Sequence, residues 1–182
     1  MKIDLKEEIE IPEGIDAFIE NDELIIKKGQ DQLGRKLNGL INVKVEGNKI
    51  VIESKKSTKR ERKIFGTFKS HFKNMVKGLN EKFIYKLEAA SVHFPMGVSF
   101  DKEKNELVIK NFLGEKTDRR IRIKKGVDIK IDKNIIEIES ADKELAGQVA
   151  ADIEKRTKPK NKDRRIYQDG VYIIEKPGRE FL

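Results

Sequence analysis

The sequence predicts an α+β protein of two tandem duplicated domains, each a small, mainly antiparallel sheet with one helix packed on one face. Three observations predict it: an internal repeat, alternation of apolar and charged residues in short runs, and a helical apolar period after those runs in each copy. Ile11-Pro-Glu-Gly14 recurs as Phe94-Pro-Met-Gly97, and Glu23-Leu-Ile-Ile-Lys27 as Glu106-Leu-Val-Ile-Lys110, both at an offset of 83. The stretch 45–54 recurs as 131–140 at an offset of 86, so a three-residue insertion separates the matched blocks. Shared order and spacing argue for duplication, and two copies are too few for a solenoid.

In the first copy, Val43/Val45 and Ile50/Ile52 share one strand face, with Gly47-Asn48 supplying the tight turn between them. Ile64, Phe65, Phe68, Phe72, Met75 and Val76 then recur every three to four positions, the period of a helix that covers the sheet. In the second copy, Ile121/Ile123, Ile129/Ile131 and Ile136/Ile138 alternate with Arg122, Lys130 and Glu137, and Lys133-Asn134 supplies the turn. Its helix carries Leu145, Val149 and Ile153, with Ala146, Ala150 and Ala151 permitting close approach to the sheet. Gly147 stands where the first helix has Gly66. After Thr157 the period ends in Lys158-Pro-Lys-Asn-Lys162, an extended stretch that Pro159 keeps from being helical. Val171-Tyr-Ile-Ile174 can form a short strand, and Pro177-Gly178 turns the chain out into a tail. The expected organisation is an N-terminal repeat over 1–82, a C-terminal repeat over 83–157 and a basic C-terminal extension over 158–182.

Hydrophobic residues make up 37% and charged residues 40% of the chain, enough to fill two small cores with little buried volume left for a deep cleft. The net charge of +8 points to an anionic partner. Residues 55–82 carry ten Lys/Arg against two Glu, and residues 155–182 carry nine against four Asp/Glu, so the remainder is net negative. A basic excess confined to two segments is a footprint. With no cysteine, a disulfide framework and a thiolate metal site are excluded. The opening residues lack the apolar run of a signal peptide, and no stretch is long and apolar enough for a membrane span, so a cytoplasmic location is expected.

Little here suits catalysis. His71 lies among the aromatics of the first helix, and His93 precedes Phe94-Pro95; neither has a metal-spaced partner or an evident nucleophile. Gly114-Glu-Lys-Thr117 lacks the glycine spacing of a phosphate loop and reads as a turn. An RNA-processing enzyme using His71 with Glu61 is the enzymatic alternative, and no cluster of catalytic groups backs it. The expectation is a non-enzyme with no cofactor, no metal and no small-molecule substrate.

The basic segments carry the binding chemistry. Lys155, Arg156, Lys158, Lys160, Lys162, Arg164 and Arg165 are followed by Tyr167 and Gln168, with Lys176 and Arg179 further on. Lysines release counterions from phosphates, arginines add bidentate geometry, and tyrosine can stack on an exposed base, so this block is read as RNA-contacting. A secondary basic face, Lys55, Lys56, Lys59, Arg60, Arg62 and Lys63, begins the first helix, where positive charge opposes the macrodipole and an anion would relieve the cost. An exposed helix face explains that run almost equally well. A free-standing RNA-binding or RNA-chaperone protein is the alternative use of the same surfaces.

Six blocks together resemble the sixth protein of the large ribosomal subunit (the L-six family), in its archaeal and eukaryotic form. They are Asn74-Met-Val-Lys-Gly78, Tyr85-Lys-Leu87, His93-Phe-Pro95, Asn111-Phe-Leu-Gly-Glu-Lys116, Ala150-Ala-Asp-Ile153 and Lys162-Asp-Arg-Arg-Ile-Tyr-Gln-Asp-Gly170. The chain lacks the glycine- and lysine-rich closing motif of the bacterial form. The resemblance implies two duplicated α+β domains and binding to large-subunit rRNA near the stalk base and the sarcin-ricin loop, where translational GTPases dock. It also implies neighbouring large-subunit proteins as partners. Within the family the second domain and the C-terminal extension make the main rRNA contacts, which carries over to Lys158, Lys160, Lys162, Arg164, Arg165, Tyr167 and Gln168. Ile166-Tyr167 departs from the valine and phenylalanine more usual there but keeps the apolar and aromatic character. Gly78, His93 and Pro95 are read as structural.

Overall fold

Alternation in the stretch 42–57 becomes a hairpin in the computed structural model, which describes residues 3–163 and 165–181. Val43 faces Ile52 and Val45 faces Ile50 across the ladder, and Gly47 takes the left-handed conformation (φ +56°) that a two-residue turn requires. The described residues divide between Lys82 and Phe83 into two compact units.

The first unit contains β1 (Ile3–Glu10), β2 (Asp16–Glu20), β3 (Glu23–Lys28), β4 (Asp31–Lys36), β5 (Asn42–Glu46), β6 (Lys49–Ser57) and α1 (Lys59–Asn80). They form two antiparallel three-stranded sheets, β1-β6-β5 and β2-β3-β4. The second sheet was legible only as the repeated Glu23–Lys27 block; Leu24 and Ile26 at its centre are fully buried. Helix α1 buries Phe65, Phe72, Val76 and Leu79, while Ile64, Phe68 and Met75 are half-buried at the edges of that stripe. Thr58, in an extended conformation, precedes the helix, and its amide donates to the Glu61 carboxylate, placing an acid against the helix N-terminus.

The second unit repeats this plan with β7 (Phe83–Ala90), β8 (Gly97–Asp101), β9 (Glu106–Lys110), β10 (Arg119–Arg122), β11 (Asp128–Asp132), β12 (Ile135–Ser140) and α2 (Lys143–Arg156), followed by β13 (Gly170–Lys176) and β14 (Arg179–Glu180). A three-stranded sheet β10-β9-β8 answers β2-β3-β4, and β7, β12 and β11 answer β1, β6 and β5. Asp142 caps α2 by accepting from the Glu144 amide at 2.8 Å, and Ala146, Val149, Ala150 and Ile153 pack into the core. The two matched glycines play different parts. A Cβ on Gly147 would lie 2.9 Å from the Tyr85 hydroxyl, whereas one on Gly66 would meet nothing within 4 Å.

The short strand expected at 171–174 is present and runs over Gly170–Lys176. Strand β13 pairs antiparallel with β7, setting Val171 opposite Ala89 and Ile173 opposite Leu87, and extends the sheet to β11-β12-β7-β13-β14. Pro177-Gly178 does turn the chain, but back into a hairpin with β14. The contrast with the first unit is written in the strands. Outer strand β1 carries Lys6, Glu7, Glu8 and Glu10, which discourage pairing at a free edge; β7 buries Phe83, Tyr85, Leu87 and Ala89 and is paired on both sides.

Candidate nucleic-acid interface

Two ties close the basic segment into a loop. At its base, Thr157 is fully buried; its hydroxyl donates to the Ile153 carbonyl at 3.0 Å and accepts from the Val171 amide at 3.0 Å. At its far end, Asp169 is buried and accepts from the backbone amides of Val92 and His93, both at 2.9 Å, and from His93 Nδ1 at 2.6 Å. Burial pushes the Asp169 carboxyl up, but these hydrogen bonds and the adjacent imidazole outweigh it and hold the group below the ordinary aspartate range. The described residues between 158 and 169 are therefore tied at both ends to a frame of helix and sheet, which lowers the entropy lost on binding.

Within this loop Pro159 is buried, and Lys158, Lys160 and Lys162 point to solvent. The Tyr167 ring stacks on His93 at 4.9 Å between centroids, and Lys162 Nζ sits 4.3 Å from the Tyr167 centroid. That ring is engaged inside the loop, so a base stacking on it would have to displace one of these neighbours. Arg165 folds back onto Asp163, with its Nη2 2.8 Å from the carboxylate; this pairing holds Asp163 below its usual range. Gln168 donates to the Arg165 carbonyl at 3.3 Å. Arg164 lies outside the described residues.

The other expected residues fall around this loop or away from it. Lys155 and Arg156 are exposed in the last turn of α2, where cations complement the helix dipole. Lys176 and Arg179 lie on the β13–β14 hairpin, their cations 5.0 and 4.8 Å from the Phe181 ring centroid. The run 55–63 belongs to the other unit and is split. Lys55 and Lys56 end β6, where Lys56 adopts φ +50° at a bulge and its amide donates to Asp4 at 2.6 Å. Only Lys59, Arg60, Arg62 and Lys63 stand on α1. His71 is occupied structurally, its Nε2 2.8 Å from the Arg35 guanidinium.

Sequence reasoning missed Arg119 and Arg120. Both lie on outer strand β10, which comes up against the C-terminal end of α2. The adjacent Arg-Arg pair was the available signal, but nothing in the sequence joined it to residues some 36 positions on. The His93–Asp169 tie was hidden similarly, although both residues stood in quoted motifs. Among the described residues, no group of three or more His, Cys, Asp or Glu is placed to hold a metal, and no helix is long and apolar enough to cross a membrane. The arrangement can present fixed positive charge to an extended polyanion.

Comparison with known proteins agrees with the duplication. The family model for ribosomal protein L6 matches twice, over residues 11–82 and 94–170. The large ribosomal subunit protein uL6 of Methanococcus vannielii is 42% identical over 176 residues, covering 96% of both chains. The proteins of the same name from Haloarcula marismortui and Halobacterium salinarum are 41% and 40% identical, each covering 94% of this chain and 96% of the relative. Matched in both of its repeats and along nearly the full length of these archaeal relatives, the chain belongs to the ribosomal protein L6 family.

Proposed function

We propose that this protein is a structural, non-catalytic constituent of the large ribosomal subunit in the cytoplasm, where it binds large-subunit rRNA near the stalk base and the sarcin-ricin loop beside neighbouring ribosomal proteins. The ribosomal assignment is supported by the names of its relatives. The RNA contact is supported by one observation above others: the 158–169 segment holds exposed Lys158, Lys160 and Lys162 on a loop tied down at Thr157 and Asp169. Cations on a preorganised loop can follow a phosphate backbone without first being ordered. Lys155, Arg156, Arg165, Gln168, Lys176 and Arg179 extend that basic surface, and Tyr167 buttresses it; Arg164, outside the described residues, is included on its sequence alone.

The test is a triple substitution, Lys158→Gln, Lys160→Gln and Lys162→Gln, which leaves the ties intact. Each lost phosphate contact removes about 0.7–0.9 from the slope of log K against log salt, so the variant should lose up to about 2–3 units of slope on a large-subunit rRNA transcript. Wild-type protein should co-sediment with large subunits through high salt. Absence from those subunits would favour a free-standing RNA-binding protein.

A further inference from the structure

Beside the loop lies a depression of about 320 Å³ lined by Arg119, Arg120, Ile121, Lys155, Arg156 and Lys160. Five basic residues from β10, from the end of α2 and from the segment after it line one hollow. Mutual repulsion makes that arrangement costly, and Glu115, paired with Arg119 and near Lys160, offsets only part of it. Arg119 is already committed: its guanidinium lies 3.9 Å from the Phe112 ring centroid, its Nε donates to Glu115 at 2.7 Å, and its Nη1 donates to the Arg156 carbonyl at 2.6 Å. The last of these bonds matters most. A helix C-terminus presents partial negative charge, which would repel a phosphate, and Arg119 neutralises it. Arg120 Nη1 forms a longer ion pair with Glu106, at 3.6 Å. Arg120, Lys155, Arg156 and Lys160 are exposed, so their cations can reach a ligand.

We propose that this depression is a backbone-phosphate site for RNA, with Arg120 and Lys160 as its principal cations. The proposal rests on the RNA-binding reading and adds to it a strand, β10, that lies outside the basic C-terminal segment. Because β10 carries Arg120 and the tied loop carries Lys160, the site can hold a phosphate at one register of the RNA, which a mobile tail cannot.

The test uses the full chain and an in-vitro transcript of large-subunit rRNA, with affinity measured from low to high potassium chloride. Arg120→Gln and Lys160→Gln are exposed substitutions that leave the fold intact, checked by circular dichroism. Each should lower the salt slope by about 0.7–0.9, equivalent to about fivefold weaker binding at 0.15 M salt relative to 1 M, and the double variant by about twice that. If Lys162→Gln lowers the slope while Arg120→Gln leaves it unchanged, the phosphate site is refuted and the RNA-binding reading stands. If wild-type protein fails to bind the transcript, both are refuted. A parallel titration with inorganic phosphate, followed by arginine side-chain NMR, should give no saturation at millimolar concentration. Saturable binding lost in Arg120→Gln would reassign the site to free phosphate and overturn RNA as its ligand.

Discussion

Replacing Asp169 by alanine removes the acceptor for three hydrogen bonds at once: two backbone amides at 2.9 Å and the His93 imidazole at 2.6 Å. Hydrogen bonds to a charged acceptor contribute about 1.5–3 kcal/mol each when buried. Val92 is 63% exposed, so water can satisfy part of what is lost and the lower end of that range applies. The sum is about 4–5 kcal/mol, a large share of the roughly 5–15 kcal/mol that holds a domain together. The sequence provides a selective reporter. It has no tryptophan, and all three tyrosines, Tyr85, Tyr167 and Tyr172, lie in the second unit. Urea unfolding followed by tyrosine emission therefore reads that unit alone. With a slope of about 1–2 kcal/mol per molar urea, Asp169→Ala should lower the midpoint by at least about 2 M. A shift below about 0.5 M, with unaltered slope, would show that the tie carries no stability and that the 158–169 loop is ordered by something else.

The same carboxylate sets an acid dependence. Its folded value lies below the unfolded 3.8, so its contribution is full above that pH and is lost as pH falls through the folded value. The stability gap between wild type and Asp169→Asn, measured by urea unfolding between pH 7 and pH 3, should narrow only below about 3.8. Gly147→Ala should destabilise the second unit by about 1 kcal/mol, because overpacking against Tyr85 exceeds the helical gain of alanine, and adding Tyr85→Phe should recover most of it. Gly66→Ala, with open space around it, should instead raise thermal stability by up to about 1 kcal/mol, read by far-ultraviolet circular dichroism. Removing residues 158–182 should abolish cooperative unfolding of the second unit at Tyr85, because it deletes the strand beside β7; a preserved transition would argue against β13 as an integral strand.

What was legible in the sequence followed local periodicity. Val43, Val45, Ile50 and Ile52 announce their hairpin because pairing partners lie within a dozen residues and the turn chemistry sits between them. The helices followed likewise from the spacing of Phe65, Phe72 and Val76, and of Val149 and Ile153. The sheet β2-β3-β4 was visible only as a repeated block, since β2 and β4 are short, charged and largely exposed, whereas in β8-β9-β10 the alternation at Ile121 also marked β10. Relations across long loops were not legible. Asp169 meets His93 across 76 positions, and Arg119 meets Arg156 across 37, and no local pattern encodes either contact. Charge clustering found the basic loop but not the strand that completes the hollow beside it.

The position of β13 has a consequence for how the chain matures. Synthesis is vectorial, and every strand of the first unit precedes residue 82, so that unit can fold as soon as it emerges. The second unit cannot close at the same pace. Strand β7 is made early, yet its neighbour β13 begins only at Gly170, after β8 to β12 and α2 have all been translated. Throughout that interval β7, with its apolar Phe83, Tyr85, Leu87 and Ala89, has its β13 edge unpaired, and carries only Lys86 and Glu88 where β1 carries five charges. The nascent half-made sheet is the moment at which this protein is most exposed to mispairing with other copies, and pulse-labelled translation intermediates arrested before residue 170 are where chaperone capture should concentrate.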